Sequence, residues 1–167
     1  AWAPPLTPVY AAAEGCFLGA ISLAFESMYP GLVLQAVSLT FTVLLALLFA
    51  YKSGYIKASP AFRRGLVDAT LGICLFYLVS MVMSWFGATA LMAFSASSAP
   101  LSIGLSVVIV GVAALNLVLD FDFIENAALQ GRYPKYMEWF GAFGLLVTLV
   151  WLYLEILRLL AKFQSRD

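Results

Sequence analysis

Five long apolar stretches, at about 8–25, 31–51, 65–86, 101–121 and 139–160, decide what this chain can fold into. A helix crossing ~30 Å of hydrocarbon at ~1.5 Å per residue needs about 20 residues, and each stretch is near that length. In lipid every backbone group must find its partner within the protein, and these lengths suit helices rather than barrel strands of ~10 residues. Composition agrees: 11% of the 167 residues are charged, against roughly a quarter in soluble domains. The expectation is an all-α, polytopic transmembrane helical bundle, one domain over 1–167.

The same composition narrows the chemistry. Nine acidic residues balance nine basic ones, so nothing argues for a nucleic-acid partner. Histidine is absent, which removes His metal sites and His-based triads and leaves carboxylates as the groups to titrate. No catalytic motif stands out, so the chain does not read as an enzyme, and no cofactor is implied. Cys16 and Cys74 lie in apolar runs without metal spacing and read as small core residues. With neither initiator Met nor signal peptide at Ala1, the chain reads as a piece or processed form of a larger protein.

Loop charge suggests an orientation. The segment "KSGYIKASPAFRR" carries Lys52, Lys57, Arg63 and Arg64 without an acid, the mark of a cytoplasmic loop. The chargeless "GATALMAFSASSAP" fits the opposite side. Arg158, Lys162 and Arg166 conflict with this, because a full fifth crossing carries them away from the cytoplasm. Ala11, Gly15 and Gly19, and likewise Gly104 and Gly111, form small-residue rows that let helices pack closely. Trp2, Trp85, Trp139 and Tyr136 fall near span ends, as belt aromatics do.

Acids inside spans usually face a cavity or a partner. In "NLVLDFDFIE", Asn116 and Asp120 share a helix face, whereas Asp120 and Asp122 point about 200° apart. Asp120 with Asn116 makes an inward polar stripe; Asp122 and Glu125 look to another helix or the interface. Glu155 lies well inside the last span with Arg158 three residues on. Glu14 is a candidate pore-lining or helix-locking acid, Asp68 suits an edge ion pair with Arg64, and Glu26 and Glu138 read as wet span ends. Two carboxylates brought together in a low-dielectric place share a proton and titrate as a unit. Once deprotonated they are hard ligands for Ca²⁺.

Four segments in this order, "YAAAEGCFLGAIS", "QAVSLTFTVLLALLFAYKSG", "ALNLVLDFDFIE" and "VWLYLEILRLL", resemble the Bax inhibitor-1 (transmembrane Bax inhibitor motif) family in its bacterial form. The resemblance implies a seven-helix fold of which this chain would hold the third to seventh helices, in a bacterial inner membrane. It also implies a pH-sensitive calcium leak, sensed by a pair of aspartates on the last two helices. By motif, Asp120 takes the first sensor position, Asp122 an amide position beside it, and Glu155 the second sensor position, with Glu replacing Asp. Asp120, Asp122 and Glu155 are then the candidate calcium ligands. In that family an arginine latches the sensor, and Arg158 is the candidate substitute.

The expected function is a pH-sensitive calcium leak channel, or channel-like regulator, gated by the Asp120–Glu155 pair. Its partners would be the bilayer, Ca²⁺ and protons. A proton-coupled secondary transporter and a non-conducting membrane interaction protein are the alternatives. A turn near Pro134 puts Asp120 and Glu155 out of step by seven residues, or ~10 Å, so their pairing requires a shift, tilt or break.

Overall fold

The computed structural model describes residues 3–96 and 99–166, so Trp2 and Asp167 lie outside the described residues. It contains six helices there: α1 (Ala3–Met28), α2 (Leu32–Lys52), α3 (Pro60–Trp85), α4 (Ala90–Ala96), α5 (Pro100–Gln130) and α6 (Tyr136–Arg166). All except α4 are long and apolar enough to cross a membrane. The helices outrun the expected spans. α5 continues unbroken to Gln130, which places Asp122 and Glu125 on helix, and the chargeless loop contains α4.

Local chemistry fixes the turns. Gly31 adopts φ +86° between α1 and α2, and the Glu26 carboxylate accepts from the backbone N–H of Gly31 (2.8 Å) and Val33 (3.2 Å). Glu26 therefore caps α2, where the helix dipole favours an anion. Ser59 accepts from the Phe62 N–H at 3.1 Å, with Pro60 at the first helical position, a strong start signal for α3.

α6 is the central helix, packed against α1, α2 and α5, while α3 packs on α5. The core joins Leu152, Ile156 and Leu157 of α6 to Ala113, Leu117 and Phe121 of α5 and to Leu32 and Ala36 of α2. The outer faces are apolar and exposed, with Leu34, Phe49 and Leu75 among them, as a lipid-facing surface requires. Cys16 and Cys74 lie on this exposed surface, not in the core.

The expected small-residue rows are not packing faces here. A Cβ added at Gly15, Gly19, Gly104 or Gly111 would meet nothing within 4 Å. α1 instead turns Leu18, Ile21 and Phe25 to the core, with Ser22 hydrogen-bonded to Tyr153 at 2.6 Å. The close approach belongs to α6. A Cβ on Gly141 would stand 3.2 Å from Ile124, and one on Gly144 3.7 Å from Asp120.

Candidate functional site

Polar side chains recur along the interior at four levels, and the antiparallel pairing of α5 with α6 orders them. The first lies at the end bearing the basic loop. There Arg63, in the first turns of α3, forms an ion pair with Asp122 of α5. The Tyr51 hydroxyl, at the end of α2, donates to Glu125 and reaches Asp122 at 3.4 Å. Asp122 and Arg63 line a cleft of about 540 Å³ with Asn126 and Gln130. Glu125 and Tyr51 line another of about 490 Å³ with Lys52.

Asp120 stands at the second level. It points toward Gly144, beside the hydroxyl of Thr148. That hydroxyl also lies 3.0 Å from the Gly144 carbonyl. One hydroxyl proton cannot serve both acceptors fully. The Asp120 Oδ2 is buried with no hydrogen-bond partner among the described residues. Nearby, Asn116 donates to Thr70 of α3 at 3.0 Å and to the Val112 carbonyl at 2.8 Å.

The third level is Glu155, 4% exposed. Its Oε1 accepts from Tyr77 of α3 at 2.7 Å. Arg158 donates to the same tyrosine hydroxyl at 2.8 Å, lies 5.3 Å above its ring, and keeps only a loose 3.9 Å contact with Glu155. Glu155 Oε2 is likewise buried with no hydrogen-bond partner among the described residues. At the fourth level Lys162, also 4% exposed, donates to Ser106 and to the Ser102 hydroxyl (2.9 Å) and carbonyl (3.4 Å).

A buried oxygen without a hydrogen-bond partner is rare and calls for an explanation. An ionised carboxylate only accepts, and protonation turns one oxygen into a donor. Asp120 and Glu155 are thus the places where a proton or a cation would change the local bonding most.

The family model described as Bax inhibitor 1 like matches residues 1–165. The chain belongs to the Bax inhibitor 1 like family. No curated protein and no solved structure matches it.

In this Bax inhibitor 1 like protein the motif-matched acids are not brought together. Lys162 meets Ser102 and Ser106 while Gly144 meets Asp120, so each step up α6 is a step down α5. Glu155 then stands level with Gly111, roughly nine residues or ~13 Å from Asp120 along the axis. α5 stays helical to Gln130 and the connector to Tyr136 is short, so nothing absorbs the offset. Gly144 and Thr148 occupy the place opposite Asp120 that the pairing assigned to Glu155.

The calcium set of Asp120, Asp122 and Glu155 is corrected for the same reason. Asp122 turns to Arg63 and Glu155 lies at another level. Among the described residues no three acids or cysteines gather as a metal site. Arg158 holds Tyr77 and Glu155, not Asp120. Among the described residues Arg64 and Asp68 form no ion pair. Glu14 lies one turn from Tyr10 and its hydroxyl, and Tyr10 stacks edge-on against Phe143 of α6 at 4.8 Å.

Sequence reasoning missed Tyr51, Tyr77, Ser102 and Ser106, and read the buried Lys162 only as a tail charge. A signal existed for two of them: Ser102 and Ser106 repeat every four residues on the face that continues to Asn116 and Asp120.

Proposed function

We propose that this Bax inhibitor 1 like protein is a pH-sensitive calcium leak channel or channel-like regulator, with Asp120 and Glu155 as two separate carboxylate stations. The observation that carries the reading is the pair of buried, partnerless oxygens, Asp120 Oδ2 and Glu155 Oε2, inside a bundle of membrane-spanning helices. Each can exchange a proton or take a hard cation in passing. Asp122 and Glu125 line clefts at the basic-loop end, each beside a cation, Arg63 and Lys52 respectively. Asn116 with Thr70 provides polar lining there.

Two stations in series behave differently from one shared-proton pair, and this separates them experimentally. Calcium flux into liposomes carrying the protein is measured across pH 5 to 8 for wild type, Asp120→Asn, Glu155→Gln and the double variant. Flux that follows pH, with the two substitutions adding in log flux, supports separate stations, since distant independent sites add. A double variant no different from either single one restores a shared pair. A wild type that passes no calcium at any pH ends the channel reading.

A further inference from the structure

The leak reading leaves Lys162 without a role, and its surroundings are unusual. It is 4% exposed inside a membrane-spanning helix. A buried charge is normally paired, yet among the described residues no carboxylate lies within ion-pair distance of Lys162. Three neutral oxygens of α5 meet its three N–H groups instead: the Ser102 carbonyl and hydroxyl and the Ser106 hydroxyl. Those bonds satisfy the donors and leave the positive charge uncancelled.

Position gives that charge a use. Lys162 follows Glu155 by seven residues, which places both on one face of α6, about 20° apart and ~10 Å along the axis. Helical side chains lean toward the N-terminus, so the ammonium is carried toward Glu155. Its charged neighbours on α6 are Arg158 and Glu155. Arg158 is turned to Tyr77 of α3. The basic-loop end carries Asp120, Asp122 paired with Arg63, and the exposed Glu125; the opposite end carries Lys162.

We propose that Lys162, cradled by Ser102 and Ser106, is a valence filter: a tethered ammonium between Glu155 and the far end of the bundle that holds back divalent cations more than monovalent ones. The proposal rests on the leak reading above. Coulomb repulsion scales with the charge of the passing ion. Removing the ammonium therefore multiplies divalent leak by the square of the factor for a monovalent ion. Anion leak gains nothing from its removal.

The test measures K⁺, Ca²⁺ and Cl⁻ leak in liposomes carrying wild type, Lys162→Met, Lys162→Arg and Ser106→Asp. Ser106→Asp keeps the lysine in place and cancels its charge, so it answers even where Lys162→Met does not fold. The expected result for Lys162→Met and Ser106→Asp is a squared relation: about threefold for K⁺ with about ninefold for Ca²⁺. Cl⁻ leak is flat or lower, and Lys162→Arg stays close to wild type. An equal rise for all three ions would make Lys162 mere helix glue and overturn the filter. A wild type that leaks calcium with no change in either charge-removing variant also overturns it, while leaving the leak reading intact. No cation leak in any variant defeats both.

Discussion

Asp120 of α5 faces Gly144 of α6, its Oδ1 3.7 Å from the point where a glycine Cβ would stand. The register of the two central helices follows from this contact and from that of Gly141 with Ile124, one turn away. The two glycines are not equivalent. At Gly144 a methyl group makes ordinary contact; at Gly141 it crowds Ile124 at 3.2 Å. Gly144→Ala is expected to leave the fold intact or stabilise it by about 0.5–1 kcal/mol, the usual helical gain over glycine. Gly141→Ala should gain less or lose, because Ile124 has to shift. Thermal unfolding of both variants in detergent checks the order, and a Gly144→Ala that melts well below Gly141→Ala would show the register to be wrong.

The Arg63–Asp122 pair ties the start of α3 to α5, but it is wet: the side chains are 53% and 17% exposed. Solvent screens such a pair. A double-mutant cycle on Arg63→Ala and Asp122→Ala should give a coupling of about 0.2–1 kcal/mol. Tyr51→Phe removes the donor to Glu125 and is expected to cost about 0.5–1.5 kcal/mol. A coupling above about 3 kcal/mol would be that of a buried pair and would contradict this exposure.

The bundle was legible because length and hydropathy alone select membrane-crossing helices. The chemistry within it was less so. Faces on α5 followed from helical geometry: Asp120 and Asp122 do diverge, one to Gly144 and the other to Arg63. The register between α5 and α6 was legible in part: the turn near Pro134 already puts Asp120 and Glu155 out of step, as they are. The motif match instead ties the two by residue type, whereas packing at Gly141 and Gly144 decides who meets whom. The glycine rows misled for a related reason. Gly15 and Gly19 show that a backbone can approach, not that one does. Tyr77 and the burial of Lys162 escaped notice because their partners come from distant segments of chain, Lys162 meeting serines 56 and 60 residues away.

Tyr77 bridges two groups that scarcely touch each other. Its hydroxyl donates to Glu155 and accepts from Arg158, whereas the direct Glu155–Arg158 contact is 3.9 Å. Tyr77→Phe leaves a buried carboxylate with neither oxygen bonded, so a loss of about 1–3 kcal/mol is expected. Glu155→Gln in the same background should recover part of it by removing the charge. The comparison is made by thermal unfolding of the two single variants and the double. Equal melting of wild type and Tyr77→Phe would mean that Arg158 turns to Glu155 unaided.

Lys162 also bears on the expected orientation of the last helix, whose positive charges fall at the end opposite the basic loop. The positive-inside preference is set by residues in loops and near span ends. Lys162 is inside the protein, bonded to Ser102 and Ser106 at the start of α5, and Arg158 is held by Tyr77. Neither is a free tail charge, so of the three charges that conflict with a cytoplasmic basic loop these two are held within the bundle. The orientation expected is the one set by Lys52, Lys57, Arg63 and Arg64. α6 starts beside the end of α5 and finishes beside its beginning, which carries Ser165 across from Lys57. With Cys16 and Cys74 replaced by alanine, Lys57→Cys and Ser165→Cys should therefore react with an impermeant maleimide from opposite faces of sealed vesicles. Labelling of both from one face would mean that α6 does not cross the bilayer. Adding Lys162→Met to the Ser165→Cys variant should leave its labelled face unchanged, because the lysine it removes was never among the charges that set it.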